Sequence, residues 1–322
     1  METYLQNIEY SFRFNEQGYF IFDEKIFDDE IVHKLSDFYL NSGIRNNHDF
    51  DVTKDNPNKS IVKAMMDLFE NELVPILKQS LLNSNIQLIS GSFLAKPQSR
   101  FFSSIYPHQD DTMIDISEQY IGFTCWIPLV DITLQNGCMG LINRSQNLYN
   151  PICANPADIA QNIQQDHIAS LVKYINWIPM KKGSVLIFNH NTIHASLPNL
   201  SNENRLAIAL QFTHKDATLC NYFLNPKNPD EIIKYKVDRN FFLNYSNERL
   251  TKLYKSKCTI TEYSVLDIIK FNKTLMSIEI LDEKLSQLGN VVNLDQIKYF
   301  TIKDERKVPF INRVVSYMRQ IF

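Results

Sequence analysis

No run in this chain of 322 residues approaches the roughly 18 consecutive apolar positions that span a bilayer. The N-terminal stretch METYLQNIEYSF has neither a basic n-region nor an apolar h-region, so no secretory signal is expected there. An excess of positive charge is missing too. The formal charge is −3, which gives no electrostatic footprint for nucleic acid. Cysteine is sparse and scattered: Cys125, Cys138, Cys153, Cys220 and Cys258 are odd in number, and no two form a CxxC. That argues against a disulfide framework and for a reducing, cytoplasmic setting in which the thiols act as small apolar groups. Internal repeats and low-complexity segments are also lacking.

What is present suffices for a substantial core. Hydrophobic residues make up 44% of the chain and aromatic residues 12%. The length allows one large domain, or one domain with an appendage. The expected division is a main domain over 1–228, entered by N-terminal helices, and a mostly helical extension over 229–322 packed on it. Residues 28–40 have helical spacing of Ile31, Leu35 and Phe38 behind an Asp28 cap, and 59–82 is a second amphipathic stretch, bent or broken near Pro75. After that the texture changes to short β-prone runs. Beside a first run at 18–23, they cover 86–96, 100–106, 121–130, 138–143, 176–188 and 205–213, with turn residues between them. One helix, 155–174, is expected to interrupt the series, with Asn155 as its cap and Pro156 at its first position. The fold class is therefore mainly β with flanking helices, a jelly roll or similar double sheet.

The stretch IYPHQDD places His108 and Asp110 two residues apart at the end of a β-prone run. Residues so spaced on an extended segment project to one side, where they can offer an imidazole and a carboxylate to one ion. Composition alone yields about one His-x-acid pair in a chain like this one, and a second does occur at His214 and Asp216. The decision rests on company. His194 follows His108 and Asp110 along the chain, and Arg205 follows His194 after the polar turn PNLSNEN, expected to bring those two face to face across a hairpin. Two histidines and one carboxylate form a facial triad suited to non-haem Fe(II), and an arginine fork suits a carboxylate of a cosubstrate. No histidine follows His214 to complete a rival set. His190 is the alternative to His194. His33, His48 and His167 read as surface residues, and Asp111 as a solvated loop acid or a substrate contact.

The stretches AKPQSRFFSSIYPHQDD, CWIPLVDITLQNGCMGLI and GSVLIFNHNTIHASLPNLSNENRLAIALQF resemble the phytanoyl-CoA dioxygenase family of Fe(II)/2-oxoglutarate oxygenases. The matching positions are Lys96, His108, Asp110, Trp126, Asp131, Gly137, His194 and Arg205, the last eleven residues beyond the distal histidine. The resemblance runs from about residue 10 to 225. It departs at Asn143-Arg144-Ser145-Gln146, where the family usually has Pro-Gly-Ser-His. The resemblance implies a cupin-like double-stranded β-helix with His108, Asp110 and His194 as the Fe(II) ligands. It also implies 2-oxoglutarate as cosubstrate, its far carboxylate on Arg205 and its pocket touched by Lys96 and Trp126. O2 would be consumed, succinate and CO2 released and an unactivated C–H hydroxylated, with ascorbate as a stimulatory reductant. Related halogenases replace the carboxylate ligand with a small residue, so Asp110 points to hydroxylation.

The expected substrate is a small molecule such as an amino acid or biosynthetic intermediate. The alternative is an acyl or peptidyl group tethered to CoA or a carrier, which a basic patch of Lys181, Lys182 and Arg144 would serve. A non-enzymatic jelly-roll binding module and a zinc hydrolase are the remaining alternatives. The segment Asn150–Lys173 is expected to act as a substrate-selecting lid or, failing that, to pack on C-terminal helices.

Overall fold

The structure, a computed structural model, describes residues 3–46, 48–98, 103–160 and 162–293. In chain order its helices are α1 (Ile8–Gln17), α2 (Asp29–Asn41), α3 (Lys59–Leu68), α4 (Val74–Ser80), α5 (His167–Val172), α6 (Arg239–Asn244), α7 (Asn247–Lys255) and α8 (Ile278–Gln287). The strands are β1 (Tyr19–Phe22), β2 (Asp51–Val52), β3 (Ile86–Lys96), β4 (Ile105–His108), β5 (Phe123–Pro128), β6 (Met139–Leu141) and β7 (Asn176–Ile178). They continue with β8 (Val185–Asn189), β9 (His194–Ser196), β10 (Arg205–His214), β11 (Cys220–Leu224), β12 (Glu231–Lys236) and β13 (Ser264–Lys270).

A six-stranded antiparallel sheet in the order β1-β8-β5-β10-β3-β2 faces a four-stranded sheet, β4-β9-β6-β7. The two-residue period of each strand explains why they stack. In β8, Val185 and Ile187 point outward to a core shared with the N-terminal helices, while Leu186 and Phe188 point inward to the smaller sheet. In β10, Ile208, Leu210 and Phe212 join the outer core, and Ala207 faces inward with the small Ala209 beside it. The inward row of β10 is thus Arg205, Ala207, Ala209 and Gln211, and its small members leave room between the sheets. Its register partners are Lys96, Leu94 and Ser92 on β3, and Trp126 and Thr124 on β5.

Local chemistry sets most boundaries as the sequence suggests. Asp28 accepts from Ile31 N to cap α2. The second amphipathic helix is broken as Pro75 requires: α3 passes through a π-turn at Phe69–Leu73 before α4 resumes with Pro75 in its first turn. The run 176–188 is two strands, because Gly183, at φ +80, turns the chain between β7 and β8. Of the expected strand 100–106, residues 100–102 lie outside the described residues, and β4 begins at Ile105.

Two expectations fail, and the segment Asn150–Lys173 divides between its two readings. The helix predicted over 155–174 is only α5, because Asn155 is bound as a strand residue: its N–H donates to Tyr222 O and its carbonyl accepts from Leu224 N. Tertiary pairing with β11 overrides the Pro and Ala/Ile pattern. The region after 229 is not mostly helical where described: β12 and β13 join β11 in a third antiparallel sheet, so a hairpin spans 228 and 229. Finally, α5 packs on α8. Leu171 shares a core with Leu281 and Leu285, and Ser170 Oγ donates to Asp282. The second half of the 150–173 segment therefore follows the packing alternative, while its first half is stitched to the site through Thr112 N to Cys153 O and Thr112 Oγ1 to Pro151 O.

Candidate active site

His108 ends β4 and His194 begins β9, and the two are direct register partners. Their ring centroids are 4.2 Å apart. Asp110 follows His108 by the two-residue period, while Gln109 points the other way and donates to Asn191 O. Asp110 Oδ1 stands 3.6 Å from His194 Nε2, and Oδ2 accepts from Thr124 Oγ1 at 3.1 Å. One ligand atom from each of His108, Asp110 and His194 lies within 4.8 Å of the others. No other such group occurs among the described residues.

The donor set fits a divalent metal in a further respect. His108 Nδ1 lies 2.8 Å from Tyr106 O and His194 Nδ1 lies 3.0 Å from Thr192 O. Each Nδ1 must carry a proton to bond a carbonyl, which leaves the Nε2 lone pairs free to ligate. Burial, with the neighbouring His194, pushes the His108 pKa down to about 4, so its ring is neutral as a ligand must be. Burial alone would raise Asp110, but His194, His190 and His108 outweigh it and hold the carboxyl below its usual range. An acid and two neutral imidazoles, with no thiolate, suit Fe(II).

Behind this centre sits a second electrostatic feature. Lys96 and Arg205 are direct partners across β3 and β10, and both are fully buried. Like charges directly opposite one another are unfavourable, and more so when desolvated. Yet neither cation has a carboxylate partner among the described residues. Lys96 Nζ donates to Ser196 Oγ and to Leu197 O, Arg205 donates to Leu94 O, and Arg205 Nε has no partner. Burial, aided by Arg205, drives the Lys96 pKa far below its ordinary value, and burial lowers Arg205 to about 9, which still leaves the guanidinium charged at neutral pH. Phe50 stands under both cations, at 5.4 Å from Lys96 Nζ and 6.0 Å from Arg205 Cζ, and Trp126 lies 5.6 Å from Arg205 Cζ.

Beside the metal ligands lies a cavity of about 180 Å³, which Lys96 and Arg205 reach only through Phe50, Trp126 and Ser196. His108, Asp110, His194, Trp126, Phe50 and Ser196 are among its lining residues. Gly137, part of the matched sequence pattern, has a steric reason for its identity. Its φ is +97, and a Cβ there would come within 2.9 Å of Lys96 Cδ and 3.3 Å of Arg205 Nε.

The structure brings His108, Asp110, His194, Lys96, Trp126 and Arg205 to one place but corrects how. Arg205 does not face His194 across a hairpin, because the turn after β9 carries the chain from the smaller sheet to the larger one. His190 is buried behind Asp110, against Gly122, and its carbonyl accepts from Asp110 N, but it is not among the clustered ligand atoms. His167 is fully buried, not on the surface; its Nδ1 pairs with Tyr149 OH and its Nε2 with Met276 O. His214 stacks on Tyr120. Asp111 is half-buried at the wall of a neighbouring space, and enclosure raises its pKa to about 6. Asp131 lies at the surface and pairs with Lys181. Sequence reading missed Phe50, Thr124 and Ser196, whose roles come from strand pairing that no local signal announces.

Strand order, facing sheets and the ligand cluster define a double-stranded β-helix protein with a two-histidine, one-carboxylate centre. The model of the phytanoyl-CoA dioxygenase family matches residues 5–207, and the chain belongs to that family. A phytanoyl-CoA dioxygenase of Arabidopsis thaliana is 30% identical over 124 residues, which cover 35% of this chain and 39% of that protein. Among solved structures, the non-haem α-ketoglutarate-dependent epimerase SnoN of nogalamycin biosynthesis is similar over 66% of this chain and 84% of its own, at 17% identity and a TM-score of 0.49. HygX from Streptomyces hygroscopicus, with nickel and 2-oxoglutarate bound, is similar over 65% and 88%, at 14% identity and a TM-score of 0.47. The fold described above stands on this chain's own strand pairing.

Proposed function

We propose that the protein is an Fe(II)- and 2-oxoglutarate-dependent dioxygenase that hydroxylates an unactivated C–H bond of a small organic substrate, releasing succinate and CO2. The observation that carries this reading is the buried Lys96–Arg205 pair, two basic side chains without a counter-carboxylate beside a two-histidine, one-carboxylate cluster. A dicarboxylate with one end near His108, Asp110 and His194 would supply the missing negative charge at its other end.

His108, Asp110 and His194 would hold the metal, which when bound supplies activation of O2. The chain's own residues prepare the rest. Tyr106 O and Thr192 O fix the imidazole tautomers, and Thr124 fixes the ligand carboxylate. Arg205, held by Leu94 O, orients the cosubstrate carboxylate, and Ser196 and Leu197 O position Lys96 beside it. Trp126, Phe188 and Met139 line the cavity with apolar surface that keeps bulk water from the centre.

The carrier-tethered alternative gains nothing specific. Lys181 pairs with Asp131, Lys182 with Asp29 and Arg144 with Glu16, and none of the three lines the central cavity. The reading is tested by succinate release. Protein supplied with Fe(II), 2-oxoglutarate, ascorbate and air should form succinate slowly without substrate, and Zn(II) in place of Fe(II) should stop it. Iron-loaded, folded protein that forms no succinate with any substrate class would refute it.

A further inference from the structure

The metal cavity has a smaller neighbour. A space of about 60 Å³ lies between Asp111, Asn155 and Asn221 and the start of α7, and Lys54 lines both spaces. Its polar atoms are placed by the fold. Asn155 is fixed on both backbone sides to β11, at 2.6 Å to Tyr222 O and 2.7 Å from Leu224 N, and its side chain lies beside the Asp111 carboxylate and favours its charged form. Asn247, the first residue of α7, accepts from Ala157 N and donates to Asp158, which ties the helix to the same segment. Asn221 is 1% exposed, and its Oδ1 has no hydrogen-bond partner.

We propose that this niche receives a protonated primary amine of the substrate, so that the substrate class is amine-bearing small molecules such as free amino acids. The inference rests on the dioxygenase reading above. Two observations carry it independently: a carboxylate enclosed beside a metal ligand, and a buried amide oxygen lacking a donor. A carboxylate accepts at about four lone-pair positions, and Asn155 occupies only part of that capacity. A buried acceptor left without a donor is unfavourable, so a ligand that supplies one is favoured there. An ammonium group offers three donors and a positive charge, which satisfies both acceptors at once. Lys54 lines the same space and its charge acts on Asp111 from a distance, but it forms no ion pair with a carboxylate among the described residues, so it leaves the direct acceptor positions of Asp111 open. Asp55 gives the lining a second carboxylate against the single Lys54, and Phe241 and Tyr245 add aromatic wall, so the net lining charge favours a cation over an anion. Because Lys54 lines both this niche and the metal cavity, the two spaces are neighbours, and an amine seated here leaves the rest of the substrate within reach of the metal centre.

The test uses the full chain loaded with Fe(II) and 2-oxoglutarate without oxygen. Free L-amino acids and simple primary amines are titrated calorimetrically, each against its N-acetyl counterpart and the matching alcohol. At least one amine should bind, and acetylation or replacement by hydroxyl should weaken it at least tenfold. In air the same amine should stimulate succinate release. Asp111→Asn should raise the half-saturating amine concentration at least tenfold without changing that for 2-oxoglutarate, and Asn221→Leu should raise it as well. The proposal is overturned if no amine binds, if acetylated and free forms bind alike, or if Asp111→Asn binds the amine as the unaltered protein does. Failure of the dioxygenase reading looks different: 2-oxoglutarate itself does not bind, and no succinate forms under any condition.

Discussion

Asp110→Ala should leave a folded protein that no longer retains iron or turns over 2-oxoglutarate. His108 and His194 keep their carbonyl bonds in the variant, and the Asp110 N–H bond to His190 O is a backbone contact that the change spares. Only the anionic ligand is lost. Removing groups that merely orient metal ligands costs about 10–100-fold in affinity or activity, so removing a ligand should cost more than about 100-fold. Iron content after anaerobic gel filtration, paired with succinate release, measures both. Thermal unfolding of the metal-free variant should show a cooperative transition within a few degrees of the unaltered protein, because only one side-chain carboxylate and its Thr124 hydrogen bond are lost. Retained iron and turnover in Asp110→Ala would remove the carboxylate from the ligand set.

The second large effect is expected at Arg205. Arg205→Ala deprives a buried cosubstrate carboxylate of its partner, a loss on the order of 2–5 kcal/mol. That corresponds to a roughly 30-fold to several-thousandfold rise in the 2-oxoglutarate requirement. Iron affinity should hardly move, since Arg205 bonds Leu94 O and stacks beside Trp126, away from the ligand atoms. The variant should also relieve the opposition to Lys96, so its stability need not fall. Measuring iron and 2-oxoglutarate binding separately by calorimetry distinguishes a cosubstrate anchor from a structural residue. Parallel loss of both would make Arg205 a support of the fold.

The site was legible where it depends on the two-residue period. His108 and Asp110 project together because they are two apart on an extended segment, and Gln109 between them points away. β3, β5, β6 and β10 were legible because their β-prone runs are bounded by turn residues, whereas 176–188 read as one run where Gly183 divides it into two strands. What failed was long-range pairing. A polar turn such as 198–204 reads the same whether it closes a hairpin or carries the chain between sheets, so Arg205 was set opposite His194 rather than Lys96. Asn155-Pro156 has the local marks of a helix start, but two backbone bonds to β11 hold it extended. β13 is an apolar, β-prone run whose side chains are mostly exposed, and its place beside β12 is set by long-range pairing rather than by a buried face. Phe50, Lys54 and Asn221 reach the site only through contacts distant in sequence, and nothing in their neighbourhoods marks them.

The central claim, that His108, Asp110 and His194 hold Fe(II) together with 2-oxoglutarate anchored by Arg205, meets its most direct test in an anaerobic titration followed by visible absorption. Fe(II) and 2-oxoglutarate added together should produce a weak visible charge-transfer band. Neither component alone should produce it, Zn(II) should not substitute, and Asp110→Ala should abolish it. The account is contradicted if folded protein binds Fe(II) stoichiometrically and 2-oxoglutarate then adds no band at any concentration.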